Sequence, residues 1–328
     1  MRLLTRSDFD GLACGAILKD LGIIDCWKFV HPKDIQDGLV DVTDNDVLTN
    51  IPYAKGCKLW FDHHSSENER LGSDIQFEGA SYHAPSAARI VFDYYDGAHK
   101  LPHLEEMVSA VDKVDSGRLT ADEIIDPSGW VLLGFIMDPR TGLGRFKDFA
   151  ISNYALMEML IDACRTMTIK DILQLPDVKE RVRVYWDQNE KYKKMILDYS
   201  HIDWEIIITD LRGVEPIYTG NRFLMYSLFP GQNISIWVVD GKGKQNCVFA
   251  VGYSILNRTA TVDIGRLMLK YGGGGHHMVG TCQVPYEEAD QVLNELVESI
   301  HTESRIPLDN LRALNADELD DLISGIQL

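Results

Sequence analysis

The sequence predicts an α/β fold. A mainly parallel sheet flanked by helices forms the N-terminal part, followed by a helical connector and a smaller C-terminal α/β domain. Three observations carry this. Short apolar runs alternate with helix-like stretches over the first two-thirds of the chain, the pattern of strands covered by crossover helices. Residues 151–200 hold no strand signal. Beyond them β-rich runs return, split by Gly231, Gly241 and Gly243. With 328 residues the chain has length for two cores, a domain taking about 150.

The elements follow in order. Residues 3–5 read as a strand, residues 8–11 as a loop, and residues 12–20 as a helix stopped by Gly22. Residues 26–30 form a second candidate strand; residues 47–49 and 58–61 form two more, divided by Pro52 and Gly56. Pro85 opens a helix with Ala88, Val91, Phe92 and Tyr95 on one face, and residues 103–114 read as another. Val178, Val182, Tyr185, Tyr192 and Ile196 mark a long helical face. Residues 206–209, 234–239 and 247–252 are the later strands. Leu311, Leu314, Leu319 and Leu322 then recur at helical spacing in an acidic tail.

Charge narrows the function. Fifty acidic side chains against thirty-two basic ones give a net −18, and residues 286–328 alone hold eleven acidic and two basic residues. Non-specific binding of long duplex nucleic acid needs a basic face, so this class is excluded as an expectation. The longest apolar run, residues 130–137, is too short to span a bilayer. Arg2, Arg6, Asp8 and Asp10 leave no apolar leader at the start. Six cysteines without any C-x-x-C pair suit reduced thiols. A cytoplasmic protein without membrane contact is expected.

Four strings carry chemistry. Asp8-Phe9-Asp10-Gly11 places two carboxylates two residues apart, able to direct oxygens at a hard cation or a pair of them. Asp62-His63-His64 follows an apolar strand, where ionisable groups need a partner or a metal. Ligands of a doubly wound sheet gather outside the carboxyl ends of its strands, where both clusters fall. Asp115, in Asp115-Ser116-Gly117, completes the set from a turn after a helix. Gly272-Gly273-Gly274-Gly275-His276-His277 exposes backbone N–H groups suited to phosphate oxygens. Ser254 and Arg258 add a hydroxyl and a guanidinium fork.

In this order and spacing the motifs resemble those of the DHH phosphoesterases with a DHH-associated C-terminal domain, over roughly residues 1–285. The chain looks nearest to exopolyphosphatase-like and oligonucleotide phosphatase-like members. The resemblance implies a catalytic domain over 1–160, a connector over 161–200, a substrate-binding domain over 201–300 and an acidic tail over 301–328. It implies metal ligation by Asp8, Asp10, His63 and Asp115, with Asp62 orienting its neighbours and His64 and His276 on the scissile phosphate. Gly273, Gly274 and Gly275 would cradle the substrate beside Ser254 and Arg258. The implied cofactor is Mn2+ or Mg2+, one or two ions. The implied partner is a small phosphorylated compound (short oligonucleotide, nucleotide or polyphosphate), and a homodimer is in keeping with base rates.

Two positions depart from the family. Leu4 stands where a metal-binding histidine is usual, and Asn50 where a bridging aspartate is. An asparagine oxygen is neutral and does not bridge two dications as a carboxylate does. A metal-dependent phosphohydrolase is therefore the first expectation. A degenerate member that binds nucleotide or phosphate compounds in a regulatory role without turnover is the alternative.

Overall fold

The computed structural model describes residues 1–64 and 75–304. The acidic tail beyond residue 304 lies outside the described residues. The chain divides into two compact units, Met1–Met195 with Tyr218–Ser227, and Ile196–Ile217 with Leu228–Leu328.

The first unit is built on a five-stranded sheet ordered β2-β1-β3-β4-β5. Its strands are β1 (Arg2–Thr5), β2 (Cys26–Phe29), β3 (Asp46–Thr49), β4 (Leu59–Asp62) and β5 (Gly79–Ser81), all paired in parallel. Parallel strands buried on both faces explain the unbroken apolar runs. Leu4 faces Leu48, Trp60, Val30, Ile35 and Ile51 in one apolar cluster. Its side chain sits in hydrocarbon and offers a metal nothing.

Helix α1 (Phe9–Asp20) is apolar nearly all round and accordingly buried from Phe9 to Leu18. It packs against the later helices α3 (Ala87–Tyr94), α4 (Glu105–Ser116) and α6 (Asn153–Thr166). Between β2 and β3 lies the short α2 (Pro32–Gln36), which the pattern did not show. The apolar run expected to be too short for a membrane is α5 (Gly129–Met137), buried over all but its first residue. Among the described residues no helix is long and apolar enough to cross a membrane. Helix α7 (Pro176–Tyr199) buries Val178, Tyr185, Tyr192 and Ile196, the face the spacing marked.

Two expectations need correction. Residues 8–11 are not a loop: Asp8 is the N-cap of α1, so Asp10 and Gly11 lie in its first turn. Asp115 is not in a turn after a helix but in the last turn of α4, which Gly117 ends at φ 65°. In both cases a short polar string resembles an interruption. Helix capping keeps such strings inside the helix.

The second unit carries a six-stranded mixed sheet, ordered β10-β11-β9-β8-β7-β6. Its strands are β6 (Ser200–Asp203), β7 (Ile206–Asp210), β8 (Ile234–Asp240), β9 (Cys247–Tyr253), β10 (Gly274–His276) and β11 (Val279–Val284). Only β7 and β8 pair in parallel. Helices α9 (Ile264–Leu269) and α10 (Ala289–Ser304) bury Ile264, Leu267, Leu296 and Ile300 in its core. The intervening α8 (Leu224–Leu228) begins in the segment Tyr218–Ser227, which belongs to the first unit. All six cysteines are unpaired.

Candidate metal centre

The strand order of the first sheet reverses direction between β1 and β3. Side chains just past the carboxyl ends of those strands converge where a doubly wound sheet opens a crevice. Asp8 follows β1, Asn50 follows β3, and Asp62 ends β4 with His63 and His64 behind it. Chain direction alone thus gathers groups more than fifty positions apart in sequence.

Asp10 is 2% exposed. Its Oδ2 accepts the Ala87 N–H at 2.9 Å and its Oδ1 the Ala88 N–H at 2.7 Å. These are the first two N–H groups of α3, so the positive end of that helix holds the carboxylate in place. Burial first, then Asp115 and Asp8, nevertheless raise its pKa well above the usual carboxylate range. A buried carboxylate crowded by others calls for a cation.

His63 shows where that cation fits. Its Nδ1 lies 3.2 Å from the Ala84 carbonyl oxygen. A carbonyl can only accept, so Nδ1 carries the proton and Nε2 presents a lone pair. That Nε2 is buried with no hydrogen-bond partner. It faces Asp115 Oδ2 at 3.2 Å and Asp10 Oδ2 at 3.7 Å. Burial, with Asp115 pulling the other way, holds the ring's pKa below the ordinary histidine value. Three electron-pair donors facing one another repel unless a cation lies among them. One atom from each of Asp10, His63 and Asp115 lies within 4.8 Å of the others. This oxygen and imidazole set suits a hard or borderline divalent ion.

Asp8 is placed differently. Its Oδ1 accepts Gly11 N–H and Asn50 Nδ2–H, each at 3.0 Å, and its Oδ2 meets Arg6 Nε at 3.1 Å. Burial raises its pKa, with Arg6 opposing. Asn50 holds φ 54°, a left-handed conformation that asparagine tolerates well. Its amide therefore serves as a donor to Asp8. Gly11 is forced by the same close turn: a Cβ there would overlap the Arg6 carbonyl oxygen.

Asp62 is fully buried and receives His64 Nδ1–H on Oδ1 at 2.8 Å and His64 backbone N–H on Oδ2 at 3.3 Å. Burial works against the charged imidazole. The Asp62 hydrogen bond and the neighbouring carboxylates outweigh it and hold the His64 pKa above the usual value. The rings of His63 and His64 lie against each other, tilted by 57° with centroids 4.3 Å apart.

In the second unit, Ser254 just past β9 accepts the N–H groups of Leu256 and Asn257 at 3.2 and 3.0 Å. Arg258 is exposed and its Nε donates to the Ile255 carbonyl at 3.0 Å. The glycine string is a hairpin strand more than an open loop: Gly274, Gly275 and His276 pair with Thr281, Gly280 and Val279. Gly273 N–H donates to the Met268 carbonyl at 3.0 Å. A Cβ on Gly273 or Gly275 would overlap a carbonyl oxygen of β11, so close strand approach itself requires glycine there. Strand register puts Ser254 and His276 at the same end of this sheet.

Sequence reasoning missed Asp138, Arg140 and Arg222. Asp138 closes α5, accepts Arg140 N–H and Nε–H at 2.8 Å each, and has Arg222 Nε 3.7 Å away. The signal for Asp138-Pro139-Arg140 was available, since charged residues ending an apolar run are what marked Asp62-His63-His64. Arg222 gave none.

No family model matches the chain, and no curated protein does. Solved structures do. The pGpG-specific phosphodiesterase PggH from Vibrio cholerae aligns at TM-score 0.81 with 48% identity, over 92% of this chain and 99% of that one. RecJ from Thermus thermophilus, solved with Mn2+, aligns at TM-score 0.50 with 13% identity, over 92% of this chain and 52% of that one. An exopolyphosphatase-related protein from Bacteroides fragilis aligns at TM-score 0.49 and 12% identity, over 92% and 93% of the two chains. With 48% identity to a phosphodiesterase along almost its entire length, the chain belongs to the DHH phosphoesterase family.

Proposed function

We propose that the protein is a metal-dependent phosphodiesterase that hydrolyses short linear dinucleotides of the pGpG type to mononucleotides. The observation that carries this is the convergence of Asp10, His63 and Asp115 around a buried, unpartnered imidazole nitrogen, next to the Asp62–His64 pair. The 48% identity to a pGpG-specific enzyme supports the substrate class, and the net charge of −18 agrees with a small substrate rather than long nucleic acid.

Asp10, His63 and Asp115 would hold one divalent cation, Mn2+ or Mg2+. Such an ion supplies Lewis acidity toward the phosphoryl group and a means of activating water near neutral pH. Asp10 is oriented by the Ala87 and Ala88 N–H groups, which favour its charged form, and the cation would complete its ionisation. Asp62 fixes the tautomer of His64, leaving Nε2 as the nitrogen that exchanges a proton with the reacting phosphate. Asp8 is occupied by Arg6, Gly11 and Asn50. We read it as a brace that fixes the first turn of α1 and thereby Asp10. In the second unit, the Ser254, Arg258 and His276 end of the sheet, with Gly273, Gly274 and Gly275, is read as the substrate-binding face.

The test is incubation of the purified chain with pGpG and Mn2+, with product separation. GMP formation that chelation abolishes, and that Asp10→Ala and His63→Ala lose, is expected. Intact pGpG in the presence of Mn2+, with wild type indistinguishable from both variants, refutes the reading.

A further inference from the structure

The carboxylates of the centre share a pocket with one guanidinium. Asp8, Asp10, Asp115 and Asp138 line it, and Arg140 is the one cation among its described lining residues. Arg140 donates to Asp138 from its backbone N–H and from Nε, at 2.8 Å to Oδ1 and 3.1 Å to Oδ2. No hydrogen bond among the described residues falls on its terminal nitrogens. Arg222 stands on the other side of the same carboxylate at 3.7 Å, too far for a hydrogen bond. Its Nε is shut off from solvent without a hydrogen-bond partner, the guanidinium lies over the Phe223 ring at 4.1 Å, and 35% of the side chain stays accessible.

The chain goes to some length to put Arg222 there. Segment Tyr218–Ser227 belongs to the first unit although both its flanks belong to the second. Gly220 N–H donates to the Thr141 carbonyl at 3.2 Å, Asn221 Nδ2 to the Ile124 carbonyl at 3.3 Å, and Arg145 to Thr219 Oγ1 at 3.2 Å. Thr219 and Asn221 are each 1% exposed. A fastening ion pair would need one arginine in bonding distance of Asp138. Here two guanidinium groups face one carboxylate, and burial together with Arg140 lowers the Arg222 pKa to about 10, against the pull of Asp138 and Asp115. With a divalent cation offsetting the pocket's carboxylates, the guanidinium donors that Asp138 does not take are free to meet an anion's oxygens.

We propose that Arg140 and Arg222 form a guanidinium clamp on the phosphate being cleaved, with Asp138 holding Arg140 in position and facing Arg222. The proposal rests on the phosphodiesterase reading of the adjacent centre and names substrate-contacting residues for it. A planar fork matches two phosphoryl oxygens at once, which an ammonium does not. Fixed donors aimed at those oxygens meet the charge that grows in the transition state.

Inorganic phosphate is the probe that separates this from the wider reading. Calorimetric titration of phosphate into Mn2+-loaded protein is expected to show binding that weakens about tenfold or more in Arg140→Gln and Arg222→Gln, with Mn2+ affinity and unfolding midpoint unchanged. Turnover of pGpG should fall about 10²–10³-fold in kcat, Arg222→Lys should recover only part of it, and added guanidinium ion should rescue Arg222→Ala. Equal phosphate affinity in wild type and Arg222→Gln overturns the clamp, as does full activity of Arg222→Lys. A chain that binds phosphate through these arginines yet leaves pGpG intact keeps the clamp and refutes the phosphodiesterase.

Discussion

His64 Nδ1–H donates to Asp62 Oδ1 at 2.8 Å, and the backbone N–H of His64 reaches the other oxygen of the same carboxylate at 3.3 Å. The aspartate is fully buried, so the imidazole is held from beneath and only its Nε2 is left to exchange a proton. Removing His64 should therefore lower kcat for pGpG by about 10²–10⁴-fold while Mn2+ affinity stays close to wild type. Asp62→Asn, which can present an N–H where an acceptor is needed, should approach the same loss. Steady-state kinetics beside Mn2+ titration decides this; activity of His64→Ala within about threefold of wild type would remove the residue from the chemistry.

A second expectation concerns stability. Asp10, Asp115 and the His63 lone pair repel one another when no cation lies among them. Mn2+ at about 100 times its Kd should then raise the free energy of unfolding by about 2.7 kcal/mol. The increment should vanish in His63→Ala and Asp115→Ala. Urea unfolding with and without Mn2+ measures it, and equal stabilisation of wild type and both variants would place the ion elsewhere.

The sequence showed the parallel sheet and most of this centre because both rest on local signals. Apolar runs mark β1, β3 and β4, and polar residues placed just behind them mark the carboxyl edge. Asp8, Asp10, Asp62, His63, His64 and Asp115 were all legible as candidates. What was not legible depends on tertiary geometry. Nothing in an Asp-x-Asp-Gly string says that Asp10 will take the N–H groups of a helix 77 residues on, while Asp8 turns to Arg6. Asn50 read as a missing ligand, and only the fold shows it donating to Asp8. The glycine string read as a phosphate loop because glycine permits both an exposed amide and a close strand contact. Pairing with β11 shows the second reason at Gly273 and Gly275. Arg222 lies far from every motif, in a segment whose neighbours belong to the other unit.

Asn50 yields a third prediction. Asn50→Asp sets a carboxylate where an amide now donates to Asp8 at 3.0 Å. Without metal, loss of this buried hydrogen bond should destabilise the chain by about 1–3 kcal/mol. Wild type should hold one Mn2+ per chain by native mass spectrometry. Two tightly held ions in wild type would show that Asp8 is a ligand despite Arg6 and Asn50.

Gly11 gives the sharpest steric case. A Cβ at this position would overlap the Arg6 carbonyl oxygen and lie 2.7 Å from Thr5 Oγ1. Thr5 ends β1 and Arg6 opens the turn that carries Asp8 into α1, so the Arg6 carbonyl oxygen does not swing aside without moving β1. Gly11→Ala should cost about 1–3 kcal/mol or more and should weaken Mn2+ binding with it, because Asp10 is the preceding residue. Chemical denaturation paired with Mn2+ titration tests the coupling; a destabilised variant with unchanged Mn2+ affinity would separate the turn from the metal centre.

At the opposite end of the same strands, Asp46 is 1% exposed and anchors the amino edge of β3 to β1. It accepts Arg2 Nε and Nη2 at 2.7 and 2.9 Å and the Thr43 N–H at 2.7 Å. Burial favours the protonated acid, but Arg2 and Thr43 together hold the pKa below the usual aspartate value. A folded pKa below the unfolded one means that the pair stabilises fully above the unfolded value, about 3.9, and that this is lost as pH falls through the lower folded value. Wild type should therefore lose stability more steeply than Asp46→Asn as pH drops from about 5 toward 2, while the gap between them stays constant from about pH 6 to 8. Urea midpoints across both ranges make the comparison. Parallel curves through the acid range would mean that Asp46 keeps the same proton affinity folded and unfolded, and that the Arg2 contact contributes nothing to the pH dependence of folding.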